Sequence, residues 1–441
     1  MKSSSSAARP ADDPPVETGQ GPADDQREAH RVWFTHLRHE DPARLAPTAR
    51  QWELVLELAT HHQLRGLSYR LLADGPLAPQ IPPAVRDRLR ASYVDTAVRN
   101  AVLFRQTSEI AAALAASGIP VMLLKGLHLA RFVYPEPALR NMADVDLMVP
   151  RDRLAEAERV MIERGYGPLP RPDLEEFCTW SNHLAKLTKE GAPVLELHWG
   201  IERPTCPFRI DLDGLWARSR EAMLEGTAVR LLSPEDLLLH LALHGSYHHR
   251  FDRSALKGLA DIDAVVAKHG AELDWAALVD RANHWGASGF GYTIFRLAGE
   301  ILGTPFPATA LARLDHTVAD EEMVELARRY VTRPRVDVPS EYTKLAQTTS
   351  LGERWRLLVR NVFLPREALE QVYGLRRGTP WAYGYYLVRV ADLVARRGGL
   401  LLRTLVRTRA TRSALDREED RVLIEKWVGY RPPEERAPRP G

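Results

Sequence analysis

The stretch Asp144-Val145-Asp146-Leu147-Met148-Val149 constrains the fold of this chain more than any other. Val145, Leu147 and Val149 alternate with Asp144, Asp146 and Met148, the two-residue period of a strand whose apolar side is packed. Asp144 and Asp146 therefore share one face, with Cβ atoms roughly 7 Å apart. That separation lets both carboxylates reach one or two Mg²⁺ ions, which take oxygen ligands. The apolar residues between them face the core and hold the strand rigid.

Neighbouring segments supply the rest of a sheet. After Gly118, the run Ile119, Val121, Met122, Leu123 and Leu124 reads as a buried strand, closed by Lys125-Gly126. A short helix from Leu127 to Phe132 and a loop marked by Pro135 and Pro137 lead to Asp144. Pro150 ends the acidic strand. Asp152 is expected to cap a helix through Glu163, and Gly165 to stop it. Leu184 to Thr188 and Val194 to His198, on either side of Lys189-Glu190-Gly191-Ala192-Pro193, read as a β-hairpin. The expected class is α+β: a small mixed sheet with flanking helices, set between helical N- and C-terminal regions.

The helical signals lie outside that sheet. Trp52, Leu54, Leu56, Leu58, Leu64, Leu67 and Leu71 recur with three- and four-residue steps, Pro76 to Pro83 interrupt, and a long pattern runs from Val85 to Ala116. Ser233-Pro234-Glu235-Asp236 carries a cap, a first-position proline and first-turn acids, a strong helix start. The expected organisation is a disordered tail over 1–28, a helical region over 29–117, a catalytic domain over 118–225, a helical domain over 226–330 packing on the catalytic cleft, and a helical Arg-rich region over 331–441.

Composition narrows the function. The 441 residues hold 60 Lys+Arg against 58 Asp+Glu, a net charge of +2. That balance excludes the basic excess of a dedicated nucleic-acid coat, so nucleic acid is not an expected partner. Two cysteines, Cys178 and Cys206, exclude a disulfide scaffold or a cysteine-rich zinc site and read as structural. No apolar run is long enough to cross a membrane, and the opening MKSSSSAARPADDPP lacks the apolar core of a secretory signal. A cytoplasmic location is the expectation.

A third carboxylate completes the chemistry. Glu196 lies in the apolar strand Val194-Leu195-Glu196-Leu197-His198-Trp199, where an acid is costly unless paired or bound to a cation. Glu196 and His198 share a face. Three carboxylates on sheet strands suit metal-assisted phosphoryl or nucleotidyl transfer, in which two ions hold the attacking and leaving oxygens. Asp144 and Asp146 are the candidate ligands of both ions. Glu196 is the candidate third ligand and orients or deprotonates an acceptor hydroxyl.

The ordered set Leu124-Lys125-Gly126, Arg140, Asp144-Val145-Asp146-Leu147-Met148-Val149, Gly165-Tyr166 and Glu196-Leu197-His198-Trp199, with a tail of His240, His244 and Leu256-Lys257-Gly258-Leu259-Ala260-Asp261-Ile262, resembles the uncharacterised nucleotidyltransferase family of the polymerase-β-like superfamily. The resemblance covers about Gly118 to Val266. It implies a polymerase-β-like sheet, two Mg²⁺ ions, a nucleoside triphosphate donor, transfer of an NMP group to an acceptor and release of pyrophosphate. Where the wider superfamily has Gly-Ser before the acidic pair, this chain has Lys125-Gly126. The hydroxyl contact to phosphate is thus replaced by a cation and a backbone N–H. Arg140 is expected to support the site or face phosphate. The acceptor, a small molecule or a protein, is not named by the resemblance. Two rival readings use the same residues: a nucleotide-binding regulatory or antitoxin-like protein without turnover, and a metal-dependent phosphodiesterase.

Three further features remain open. His240, His244 and His248 repeat at four-residue spacing, with His249 alongside, and read as a zinc column, a face on the nucleotide cleft, or plain core histidines. Asp261 and Asp263 lie in a helical pattern, point apart and do not share a metal, while Lys257 either pairs with Asp261 or reaches the triphosphate. Arg376 to Arg412 holds nine Arg and one acid, Asp392, among leucines. It reads as a helix packing its leucines inward, or as a basic face for peripheral contact with an anionic membrane or an acidic partner.

Overall fold

The computed structural model describes residues 22–332 apart from 43, 169–172 and 253, together with 352, 384–386, 388 and 409–429. Most of the Arg-rich segment 376–412 therefore lies outside the described residues. Helix α1 spans Pro22–Leu37, so residues 22–28 of the segment expected as a tail are helical, and the rest of it lies outside the described residues.

Helices α2 (Ala49–His61) and α3 (Arg65–Ala73) follow. Thr48 opens α2 with a reciprocal cap: its Oγ1 accepts from Gln51 N at 3.3 Å, and Gln51 Oε1 accepts from Thr48 N at 2.9 Å. Pro82-Pro83 then starts α4 (Pro83–Ala116), where a missing N–H costs nothing. At 1.5 Å per residue α4 is roughly 50 Å long, and it joins two cores. Val85 and Leu89 pack with Trp33, Trp52 and Leu72 of the first helices. Leu103, Phe104, Ile110 and Leu114 pack on the sheet.

The sheet is built from β1 (Met122–Leu123), β2 (Asp144–Met148), β3 (Gly167–Pro168), β4 (Leu187–Thr188), β5 (Val194–His198), β6 (Arg220–Leu224) and β7 (Thr227–Leu231). Their spatial order is β3-β4-β5-β2-β1-β7-β6. Helices α5 (Lys125–Phe132), α6 (Leu154–Glu163), α7 (Leu174–Phe177) and α8 (Leu212–Ala217) fall between strands. The class is mixed α+β, as the residue pattern implied.

Three local expectations change. The first strand is short because Ile119 N donates to Leu114 O at 3.0 Å, so the start of the apolar run closes α4. Asp152 does not cap α6: it sits in the 3₁₀ turn Arg151–Arg153, and the cap position is Arg153, with no side-chain cap bond. The sheet also continues past residue 225. Strands β6 and β7 form a hairpin over Glu225 (φ 45°) and Gly226 (φ 87°), the two positive φ values that a type I′ turn requires. Strand β7 pairs in parallel with β1, so the sheet itself extends to Leu231.

Beyond the sheet lie α9 (Pro234–Leu243), a π-turn at His244–His248, α10 (Ala255–His269), α11 (Trp275–Trp285), α12 (Ser288–Leu302), α13 (Ala308–Arg313), α14 (Val318–Thr332) and α15 (Arg409–Gly429). Ser233 caps α9 as expected, its Oγ accepting from Asp236 N at 3.2 Å. Helix α15 docks through Arg329 Nη2 to Asp420 Oδ1 at 2.7 Å and Trp427 Nε1 to Asp320 Oδ1 at 2.9 Å. The first three helices share one apolar core with α9, α10 and α12. Residues from 29–117 and from 226–330 thus contribute to the same apolar core. No helix among the described residues is long and apolar enough to cross a membrane.

Strand alternation decides which way the acids face. Leu123, Val145, Leu147, Leu195 and Leu197 enter the core beneath α4 and α6. Met122 and Met148 enter the helical core on the opposite face. Asp144 and Asp146 have the parity of Met148, so the acidic face looks toward the helical unit.

Candidate active site

Strands β2 and β5 run parallel, with Asp144 opposite Val194, Asp146 opposite Glu196 and Met148 opposite His198. Adjacent strands lie about 4.8 Å apart, so Asp146 and Glu196 become lateral neighbours on one face. His198 Nε2 donates to Asp146 Oδ1 at 3.0 Å and lies 3.6 Å from Glu196 Oε2. Asn182 Nδ2 donates to His198 Nδ1 at 3.5 Å, which leaves the ring proton on Nε2. Lys125 Nζ lies 3.7 Å from Asp146 Oδ2, and Lys186 Nζ lies 2.8 Å from Glu196 Oε1. Asp146, Glu196 and His198 are buried, and one ligating atom of each lies within 4.8 Å of the others.

These neighbours set the charges. Burial opposes ionisation of Asp146, but Lys125 and the His198 hydrogen bond outweigh it and hold the carboxyl below the usual range. The His198 hydrogen bond, against burial and with help from Lys186, holds Glu196 at about 2. Burial, then the charges of Asp146 and Glu196, push Asp144 up. Asp146, Glu196 and His198 could together hold a metal ion. Hard oxygen donors on one face suit Mg²⁺.

Lys125 begins α5 with φ 38°, an unusual backbone conformation for a residue with a side chain. Leu124 N donates to Asp146 O at 3.2 Å, so the N-terminus of α5 is fastened to the acidic strand. A Cβ on Gly126 would sit 3.1 Å from Met142 Sδ and 3.3 Å from Arg140 Nη1. The glycine thus permits close packing of α5 on the loop before β2, which its sequence position alone did not indicate.

Arg140 is spent on structure. Its Nε and Nη2 donate to Asp261 Oδ1 and Oδ2 at 3.0 and 2.9 Å, and Nη1 donates to Asn141 O at 2.8 Å. Tyr134 Oη donates to the same Asp261 Oδ1 at 3.0 Å. Asn100 Nδ2 donates to Arg140 O at 2.8 Å. The loop entering β2 is therefore clamped to α10 and α4. Arg140 is a positioning residue in this arrangement, because its fork faces a carboxylate. The alternative pairing of Lys257 with Asp261 is replaced for the same reason: Lys257 Nζ donates to Gln63 Oε1 at 3.0 Å. Burial, then Arg140, push Lys257 down to about 8, and Asp144 is among the charges acting on it. Asp263 accepts from Thr304 Oγ1 at 2.7 Å, so the two acids of α10 do point apart.

The histidine column also divides. His240 is fully buried, and neither ring nitrogen has a hydrogen-bond partner among the described residues. Burial and then Lys125 push it well down, with His198 and Asp146 among its other charged neighbours. The π-turn carries His244 and His248 away into a different group. A cavity of about 810 Å³ opens beyond the ends of β2 and β5, lined by Arg151, Cys178, Trp199 and Trp216 among others. None of the three acids lines it.

Lys186, Asn182 and Asn100 were missed from the sequence. Lys186 had a signal: with Leu187 opposite Leu195, antiparallel counting places Lys186 opposite Glu196. Asn182 and Asn100 had none, because their bonds depend on how a loop and a distant helix dock.

No curated protein matches the chain. A crystal structure of an antigenic nucleotidyltransferase-like protein from Paracoccidioides brasiliensis is similar at 18% identity and TM-score 0.32, over 50% of this chain and 97% of that one. A solution structure of the antibiotic-resistance factor ANT(2'')-Ia is similar at 16% identity and TM-score 0.26, over 41% of this chain and 96% of that one. The family model described as uncharacterised nucleotidyltransferase matches residues 48–303, from the Thr48 cap of α2 to the Gly303 cap of α12. That span takes in the acidic strands, the α5 start and both parts of the shared helical core, and the chain belongs to this uncharacterised nucleotidyltransferase family.

Proposed function

We propose that the protein is a Mg²⁺-dependent enzyme that moves an NMP group from a nucleoside triphosphate to an acceptor nucleophile and releases pyrophosphate. The observation that carries this reading is the in-register parallel pairing of β2 and β5, which gathers Asp144, Asp146 and Glu196 on one face. Those three residues would hold the ions. Bound there, Mg²⁺ would supply positive charge against the phosphate oxygens. Lys125 and the Gly126 N–H, at the start of α5, bind the triphosphate. Lys257 adds positive charge from the helical side. Glu196, ionised at neutral pH, orients the acceptor hydroxyl and takes its proton. The acceptor oxygen bonds to the α-phosphorus as the bond from that phosphorus to the bridging oxygen breaks, and pyrophosphate leaves.

The test uses the full chain, each α-labelled triphosphate, Mg²⁺ and a cell extract. Label should pass to an acceptor and pyrophosphate should appear, and both should vanish with chelator. Calorimetric nucleotide binding without pyrophosphate release would overturn turnover in favour of the regulatory reading. Cleavage of nucleic acid without added nucleotide would overturn transfer in favour of a phosphodiesterase.

A further inference from the structure

A second group of ligating side chains lies one turn beyond His240. The π-turn at His244–His248 is closed by His249 N donating to His244 O at 3.0 Å, a bond spanning five residues. In an α-helix His249 would point about 100° away from His248. Here the wider turn brings three imidazoles together, with ring centroids 5.2 Å apart for His244 and His248, 4.4 Å for His244 and His249, and 5.1 Å for His248 and His249. One nitrogen of each lies within 4.8 Å of the others. Single-turn π-insertions of this kind recur at functional sites.

Glu202 points to a ligand independently. It is 5% exposed, and neither carboxylate oxygen has a hydrogen-bond partner among the described residues. Its Oε2 lies 3.8 Å from His248 Nδ1. A buried carboxylate without hydrogen bonds is costly unless a cation answers it. His249 Nδ1 lies 3.2 Å from Asp252 Oδ2, the carboxylate partnering that orients a metal-bound imidazole and leaves the lone pair on Nε2.

We propose that His244, His248, His249 and Glu202 form a transition-metal site that takes Zn²⁺. Three imidazoles and a carboxylate suit zinc, whereas the oxygen set of Asp144, Asp146 and Glu196 suits Mg²⁺. Ligands at about 2.0–2.1 Å in a tetrahedron lie roughly 3.3 Å from each other, so modest side-chain rotation closes the spacing of the three imidazoles and of Glu202 to His248. His248 is exposed and leaves an entry path. With all four positions filled by protein, the site is structural. It ties the turn after α9 to the segment that follows β5, and so braces the strand carrying Glu196 against the helical unit.

The test is zinc titration of chelator-treated full-length protein against a chromophoric competitor, with Co²⁺ as a spectroscopic substitute. We expect one tight equivalent of Zn²⁺ and the intense visible bands of tetrahedral cobalt. Asp146→Asn should keep both. The double variant His248→Ala/His249→Ala should lose both, and Glu202→Gln, which keeps shape, should weaken zinc at least tenfold. The proposal is overturned if the wild type binds no stoichiometric zinc, if the double variant binds it unchanged, or if Asp146→Asn abolishes it. Unchanged zinc affinity in Glu202→Gln also overturns the four-ligand site, even where the double variant does not fold.

Discussion

Replacing Asp261 by Ala should unfold the protein more readily than any other single change near the acidic face. Arg140 is buried and bonded through two nitrogens to the two oxygens of Asp261 at 3.0 and 2.9 Å. Each charge-assisted bond contributes about 1.5–3 kcal/mol, so the fork contributes roughly 3–6 kcal/mol. Removing one partner of a buried ion pair costs about 3–5 kcal/mol by a separate line of evidence, chiefly because the other charge is stranded. The two ranges meet near 4 kcal/mol. At about 2–4 °C per kcal/mol for a large domain, the melting temperature should fall by roughly 8–16 °C. Urea denaturation and calorimetry measure this. Adding Arg140→Met to Asp261→Ala should recover about 2 kcal/mol, because the stranded charge is gone. If Arg140 instead served the triphosphate, Asp261→Ala would leave stability within about 0.5 kcal/mol, the range of surface changes, while nucleotide affinity fell. That pair of results would refute the clamp.

Asp146→Asn keeps the side chain's size and removes ligand charge, so nucleotidyl transfer should drop at least ~10²-fold, measured by pyrophosphate release; activity within a few-fold of wild type sinks the metal assignment. Glu196→Gln should lower kcat more than it weakens triphosphate binding in calorimetry, and complete loss of binding with an intact fold would move Glu196 to the donor side. Glu196 is held at about 2 against about 4.3 unfolded, so its stabilisation is full above pH ~4.3 and is lost as pH falls toward 2. Lys186→Met should raise the Glu196 value and shrink that acid loss in denaturation series run between pH 6 and 3; an unchanged slope counts against the ion pair. Burial pushes His128 down to about 3 and His240 well below its ordinary value. The unfolded chain therefore takes up protons near pH 6.5 that the fold refuses. Stability should fall below that pH by about 1.4 kcal/mol per unit for each histidine, and His128→Leu should flatten the urea series by that amount.

Local rules were enough to place the acids on their strands. Alternation in Asp144–Val149 and Val194–Trp199 placed three acids on strand faces, and Ser233-Pro234 opened a helix where expected. The hairpin count even held Lys186 opposite Glu196, unread. The β6–β7 hairpin escaped because Arg220–Leu231 carries charged residues on both strands, so period two is faint, and its turn depends on a positive φ at Glu225.

What the sequence determined by itself was the chemistry available: which residues carry oxygen, nitrogen or charge, and which of them share a face within one strand or helix. Pairing between elements came only with the tertiary structure. Whether β2 meets β5 in parallel and in register, so that Asp146 neighbours Glu196, is a choice among sheet orders that period two leaves open. Whether Arg140 faces a phosphate or Asp261, 121 residues away, rests on how α10 docks. The assembly of His244, His248 and His249 needs a π-turn, a deviation that no helical period encodes. Side-chain periodicity is a property of local backbone geometry, whereas partners across the fold are selected by burial. A guanidinium or a carboxylate removed from water takes whichever opposite charge the packing brings within reach.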